Sequence, residues 1–290
     1  MRAILVHNPT AGTASHTAEQ LTAILKEAGY LDVTYCSTKE RKHKRALLGI
    51  ADLVLIAGGD GTIGRVIRCM TPNDTPVAIL PLGTANNIAR AIGLHTDPDS
   101  LLECLRGHRT RHFDVGIIRG PWGVRKFVEA VGFGSLAELM KPGPKPPAAE
   151  RTKIGREVLK ETVADARTQQ LTVKADGETL VFDVLMMEIL NTRYVGPGLP
   201  FGPRSQPGDG LLDLVYLPPE ARTEMLTWID NPDRSPPLLV RQARKFSVQW
   251  EGRPLHVDDR PYPHPGIVAE LKIRTIRNAV RFCVPPIPTG

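Results

Sequence analysis

Short, wholly apolar runs alternate with helix-spaced apolar positions over the first 118 residues. Residues 3–6 are a buried-strand run and residues 8–13 a turn-rich loop. Ala18, Leu21, Leu25 and Ala28 then recur on one helical face that Gly29 stops. Residues 33–36 read as a second strand and 39–48 as a basic helix. Residues 53–57 form a third strand ending in Gly58-Gly-Asp-Gly-Thr62, with a helix from about Ile63. Residues 77–80 form a fourth, ending in Pro81-Leu-Gly-Thr-Ala-Asn-Asn87, with a helix to about Ile92. Repeated strand, loop and helix with uniformly apolar strands predicts a doubly wound α/β domain on a mainly parallel sheet.

Beyond about residue 119 the pattern changes to β-rich segments punctuated by Gly and Pro. Residues 171–174 and 180–187, joined around Asp176-Gly177, read as a hairpin, and 211–216, 246–250, 255–257 and 267–273 continue in that style. The expectation for residues 119–278 is a mainly antiparallel β-sandwich or barrel. Lys141-Pro-Gly-Pro-Lys-Pro-Pro147 excludes regular structure and is expected to be a mobile loop.

The length of 290 residues suits two domains, and 41% hydrophobic against 23% charged residues excludes a disordered chain. Thirty-seven Lys and Arg against 31 Asp and Glu leave a net charge of +6, which fits anionic partners without choosing among them. Cys36, Cys69, Cys104 and Cys283 are widely spaced, so neither a disulfide framework nor a zinc site is indicated. The histidines lack metal-ligand spacing, and His7 and His112 read as core or near-core. No apolar run is long enough for a signal peptide or a membrane span, which points to the cytoplasm with at most peripheral membrane contact.

Three glycine-bearing loops lie at strand C-termini, after the first, third and fourth strands: Asn8-Pro-Thr-Ala-Gly12, Gly58-Gly-Asp-Gly-Thr62 and Gly83-Thr-Ala-Asn-Asn87. Glycines let backbone amides approach a phosphate, and a following helix N-terminus favours an anion. Thr84 can bond a phosphate, and Asn86 can cap a helix. Any doubly wound sheet puts loops at this edge, so each alone is weak; their convergence is the argument for a nucleotide site.

With Leu80-Pro-Leu in front of the last loop, the trio resembles the diacylglycerol kinase catalytic-domain family, in particular its soluble bacterial members; sphingosine and ceramide kinases are similar, NAD kinases more distantly so. Val131-Gly-Phe-Gly134 and Gly208-Asp-Gly-Leu-Leu-Asp213 extend the likeness into the second domain. The resemblance implies ATP- and Mg2+-dependent phosphoryl transfer to a lipid hydroxyl, with the nucleotide held between domains. It implies no nucleic-acid partner, and it returns residues 279–290, with a last strand at about 279–284, to the first domain. Asn8, Gly58, Gly59, Asp60, Gly61, Thr62, Ile63, Gly83 and Thr84 map onto nucleotide contacts, with Thr38 a weaker candidate. Asp60 falls near the ATP-bound magnesium.

The family's catalytic base is the aspartate of an Asp-Gly-Glu turn, and Val257-Asp-Asp-Arg-Pro261 puts Asp258 there. A carboxylate there can accept the hydroxyl proton as the γ-phosphate is attacked. Asp176-Gly-Glu178 matches the letters but comes early; it reads as a hairpin turn and is the fallback base. Asp209 and the Leu211 carbonyl resemble a structural magnesium site, with a plain β-turn as the other reading. The basic stretches 39–45 and 141–160 could meet phosphates or acidic lipids, or be solvated helix faces. Gly64-Arg65, Asn86-Asn87 and Asp259-Arg260 depart from the family's acidic pattern. They keep open a catalytically impaired nucleotide- or lipid-binding regulatory protein, beside an NAD kinase-like enzyme with a soluble acceptor.

Overall fold

The computed structural model describes residues 1–12, 16–40, 50–70, 75–94, 98–107, 109–134, 136–137, 146–262 and 266–285. The proposed basic helix at 39–48 and the Pro-rich loop at 141–147 lie largely outside the described residues. The chain divides into two compact units, Met1–Phe113 with Asn278–Gly290, and Asp114–Arg277.

In the first unit, β1 (Arg2–His7), β2 (Asp32–Ser37), β3 (Leu53–Gly58) and β4 (Val77–Pro81) form a parallel sheet in the order β2-β1-β3-β4. Strands β3 and β4 are buried throughout, the signature of a parallel sheet covered on both faces. Helix α1 (Ala18–Glu27) starts at a capping box in which Thr17 and Gln20 bond reciprocally, and it buries Leu21 and Leu25. Helices α2 (Asp60–Cys69), α3 (Asn87–Ala91) and α4 (Pro98–Gly107) follow.

The second unit is a sandwich. Its strands are β5 (Thr110–Gly120), β6 (Gly123–Phe127), β7 (Ala130–Gly134), β8 (Gln169–Ala175), β9 (Glu178–Val184), β10 (Met186–Leu190), β11 (Leu212–Leu217), β12 (Leu239–Ala243), β13 (Lys245–Trp250), β14 (Leu255–Val257), β15 (Arg260–Tyr262) and β16 (Ala269–Cys283). One sheet runs β6-β5-β16-β13-β8-β9 and the other β12-β11-β10-β7-β14-β15. Phe133, Met187, Ile189 and Leu255 of the second sheet pack with Val173, Val248, Trp250 and Leu271 of the first. The opposite face of the second sheet packs with Leu159 and Val163 of α5 (Arg151–Asp165) and Met225 and Ile229 of α6 (Arg222–Asp230). The end of β16 returns to the first unit, where Phe282 pairs with Val77 of β4 and stacks edge-on against Phe113.

Four expectations need correction. The run 180–187 is two strands, because the chain leaves β8 at Val184 and enters the other sheet at Met186, with the Leu185 amide on the Leu217 carbonyl. The strands expected at 267–273 and 279–284 merge into one 15-residue strand, β16 (Ala269–Cys283), which contains Asn278 at φ 53°. Residues 151–165, within a region read as β-rich, form a helix. His7 is buried, but His112 is exposed.

Candidate functional site

The three glycine loops of the first unit meet physically. A Cβ on Gly12 would strike the Leu82 carbonyl, which ties the first loop to the third. A Cβ on Gly83 would lie 2.6 Å from the Gly59 Cα and 2.7 Å from Asn86 Oδ1, which ties the third to the second. Asn8 Nδ2 donates to Thr62 Oγ1 at 3.3 Å, joining the first and second. Asn86, at φ 51°, folds the third loop: its Oδ1 accepts the Gly83 amide at 2.9 Å and its Nδ2 donates to the Gly83 carbonyl at 3.1 Å.

Asp60 is the strut between the second and third loops. Its Oδ1 accepts the Ile88 amide at 3.0 Å, at the start of α3. Burial pushes its carboxyl up, and the amides of Ile88, Asn87 and Asn86 pull the other way without cancelling the rise. These contacts are those of a residue that caps the start of α3. Asp60→Ala strips α3 of this acceptor and is expected to lower unfolding stability by about 1–2 kcal/mol. Asp60→Asn, which keeps an acceptor, should lose less. Denaturant titration reads both, and equal stability of wild type and Asp60→Ala would sink the strut.

The amides of Thr62 and Ile63 both bond to the Gly59 carbonyl, at 2.8 and 3.0 Å, and both side chains are buried. An anion at this helix start would be met by the preceding amides, Gly59, Asp60 and Gly61. Ile63 is part of the core, and Thr62 is buried beside it with its Oγ1 accepting from Asn8. Gly58 ends β3, Thr84 is exposed in the third loop, and Thr38 follows β2 with its amide on the His7 carbonyl.

In the second unit, Asp258 occupies the two-residue turn between β14 and β15, where Val257 pairs with Arg260. It is only 6% exposed and sits at φ 51°. Its Oδ1 accepts the amides of Val128, Glu129 and Ala130 at 3.0, 2.8 and 3.4 Å, and its Oδ2 that of Val128 at 3.1 Å. Asn191, which the sequence did not single out, props this amide row: its Nδ2 donates to the Val128 and Asp114 carbonyls, both at 2.9 Å. Asp259 and Arg260 are exposed. Asp176 turns the β8–β9 hairpin at φ 48°, and its carboxylate accepts the Arg244 and Lys245 amides, both at 3.1 Å. That is the hairpin-turn reading of the fallback residue.

Asp209 is exposed, and its Oδ1 accepts the Leu211 amide at 2.8 Å. Partial desolvation of the carboxyl and the nearby carboxylates of Asp213 and Asp114 push it up, against the pull of the Leu211 amide. Among the described residues, no cluster of three or more His, Cys, Asp or Glu side chains could hold a metal. Any ion here would need backbone carbonyls as well.

A parallel sheet with three interlocked glycine loops is followed by a β-sandwich presenting a buried aspartate at a tight turn, a two-unit arrangement that places the chain with the diacylglycerol kinase family. Residues 2–118 match the diacylglycerol kinase catalytic domain, and residues 156–233 the YegS C-terminal NAD kinase beta sandwich-like domain. The chain is 30% identical to the diacylglycerol kinase of Bacillus subtilis (strain 168) over 74% of its length and 73% of that protein's. It is 31% identical to the diacylglycerol kinase of Mycobacterium tuberculosis (strain ATCC 25618 / H37Rv), covering 74% of the chain and 72% of that protein. The fold resembles a crystal structure of a diacylglycerol kinase from Bacillus anthracis str. Sterne, at a TM-score of 0.74 and 19% identity over 98% of this chain and 97% of that one. Yeast NADH kinase complexed with NADH shares the fold more loosely, at a TM-score of 0.59 and 12% identity over 100% of this chain and 84% of that one. The chain belongs to the diacylglycerol kinase family. No helix among the described residues is long and apolar enough to cross a membrane.

Proposed function

We propose that this protein transfers the γ-phosphoryl group of ATP to the hydroxyl of diacylglycerol or a related lipid, working in the cytoplasm and peripherally at the inner membrane face. Family membership across both units carries the reading. The α/β unit binds the nucleotide, with the amides of Gly59, Asp60 and Gly61 and Thr84 toward its phosphates, Gly58 leading into that turn, and Asn8 and Thr38 beside them. The β unit takes the lipid. The lipid oxygen attacks the γ-phosphorus as its proton passes to Asp258 Oδ2; the bond to the β-phosphate oxygen breaks and ADP leaves. Mg2+ travelling with ATP offsets the charge on the phosphates. The amides of residues 128–130 hold the carboxylate still, so little of the barrier goes into orienting it.

Transfer of label from γ-labelled ATP, with diacylglycerol micelles in one reaction and NAD in another, tests this. Label extracted into the organic phase supports the lipid kinase. Label on the dinucleotide moves the protein to a soluble acceptor, and ATP binding with no transfer to either identifies a regulatory protein.

Asp209, with the Leu211 carbonyl, is proposed to hold a structural Mg2+. The donor set is hard oxygen, and a divalent cation would relieve the repulsion that Asp213 and Asp114 exert on it. Mg2+ without nucleotide is expected to raise the melting temperature of wild type and to raise that of Asp209→Asn less. Equal shifts would refute the site.

A further inference from the structure

Three positions stand abreast on neighbouring strands of the second sheet. Glu188 of β10 pairs with Gly132 of β7, and Gly132 pairs with His256 of β14. Their chain neighbours Val131, Phe133, Met187, Ile189, Leu255 and Val257 point into the sandwich core, so these three lie on the opposite face. A Cβ on Gly132 would collide with both Glu188 oxygens and with His256 Nε2. The missing side chain is what lets the outer two meet across the middle strand. Nε2 of His256 lies 3.1 Å from each Glu188 oxygen. Glu188 is fully buried, and His256 is 3% exposed.

The other ring nitrogen reaches the base. His256 Nδ1 is 2.8 Å from the backbone carbonyl of Asp258. A carbonyl only accepts, so Nδ1 carries a proton, and Glu188 and Nε2 share the next one. Asp258 is held at φ 51°, a left-handed conformation that disfavours a non-glycine residue by about 1–2 kcal/mol. Three groups oppose that strain: the Asp258 amide on the Ala130 carbonyl at 2.8 Å, the carboxylate on the residue 128–130 amides, and the imidazole on the Asp258 carbonyl. Replacing a buried ion pair by apolar residues of similar volume is often neutral or stabilising, so stability alone does not account for Glu188 and His256.

We propose that Glu188 and His256 are positioning residues for Asp258: the imidazole fixes the carbonyl, and with it the peptide that aims the carboxylate, while Glu188 fixes the ring's tautomer and orientation. The inference rests on the lipid-kinase reading with Asp258 as base. Burial alone would push the His256 imidazole down, but the Glu188 carboxylate, its hydrogen bond and Asp258 carry it above its ordinary value. That direction agrees with a ring held by acceptors on both sides.

The test replaces the pair as a unit, Glu188→Met with His256→Phe, so that no charge is left buried alone. The apolar pair should stay folded and melt cooperatively, with at most a small drop for the lost bond to the Asp258 carbonyl, while kcat falls about 10–100-fold and KM for ATP stays put. Glu188→Gln, whose amide can donate to Nε2 and keep Nδ1 protonated, should retain kcat within about threefold of wild type. On an Asp258→Asn background the apolar pair should cost no further kcat, since aiming matters only when there is a base to aim. A folded apolar pair with wild-type kcat overturns the proposal. So does a full additional loss on the Asp258→Asn background, which marks a structural role alone. If wild type phosphorylates no lipid, the functional reading fails first, and positioning is read by hydrogen exchange. The apolar pair should then speed exchange at the amides of residues 128–130, and unchanged protection overturns it.

Discussion

Asp258→Asn is expected to lower kcat for lipid phosphorylation by about 100- to 10,000-fold, the range for loss of a general base. The substitution keeps the shape of the side chain, and one oxygen can still accept the amides of Val128, Glu129 and Ala130. The other oxygen becomes an NH2 group that cannot take the proton of an attacking hydroxyl. That NH2 also faces the Val128 amide, now 3.1 Å from Oδ2, so two donors oppose each other and about 1–2 kcal/mol of stability should go with the activity. KM for ATP should hold within about twofold, because the nucleotide loops lie in the other unit. Initial rates in mixed micelles, with thermal melts beside them, separate the effects. Wild-type kcat in a folded variant would remove Asp258 from the chemistry.

The second large effect is expected at Gly83. In Gly83→Ala the new methyl would stand 2.6 Å from the Gly59 Cα, and Gly59 is backbone held in place by the Thr62 and Ile63 amides on its carbonyl. The nearest atoms are backbone on one side and the Asn86 carboxamide that folds the loop on the other, so no flexible side-chain end can swing away. Overpacking of this kind costs about 1–3 kcal/mol, and relieving it means parting the second and third loops. ATP affinity should fall by at least about tenfold, while the sandwich, a separate unit, keeps its spectroscopic signature. Isothermal titration with ATP decides it, and wild-type affinity would show that the loop junction does not shape the nucleotide site.

How much of this could be read beforehand follows from the range of the interactions involved. Strands β1, β3 and β4 were readable because burial on both faces writes an apolar run into each, whereas β2 is buried only at Cys36 and Ser37 and left a weaker pattern. The glycine loops were readable because close backbone approach demands glycine locally. The hairpin at Asp176-Gly177 was readable for a similar reason, as both residues take positive φ. Helix α5 was not, because only Leu159 and Val163 of its 15 residues are buried, too few to set a helical period. The break at Leu185 was invisible because it depends on which sheet the chain joins next. Asp258 emerged only through family likeness; its amide cradle draws on residues 128–130, far away in sequence. That the helix takes up the Thr62 and Ile63 amides was not legible, because a motif does not say which of its amides the helix consumes. Glu188 and His256 could not be paired from the sequence at all, since their meeting depends on the register of three strands around one glycine.

The return of β16 to the first unit sets an order of events during synthesis. The α/β unit contains the chain's beginning, yet its sheet lacks the Val77–Phe282 pairing, and its core lacks the Phe113–Phe282 contact, until residues 278–285 have emerged. The sandwich is continuous from Asp114 to Arg277 and can close first. Domains usually fold in the order they leave the ribosome; here the later-made unit is the earlier to finish, and the edge of β4 stays open to wrong partners for as long as the sandwich takes to be translated.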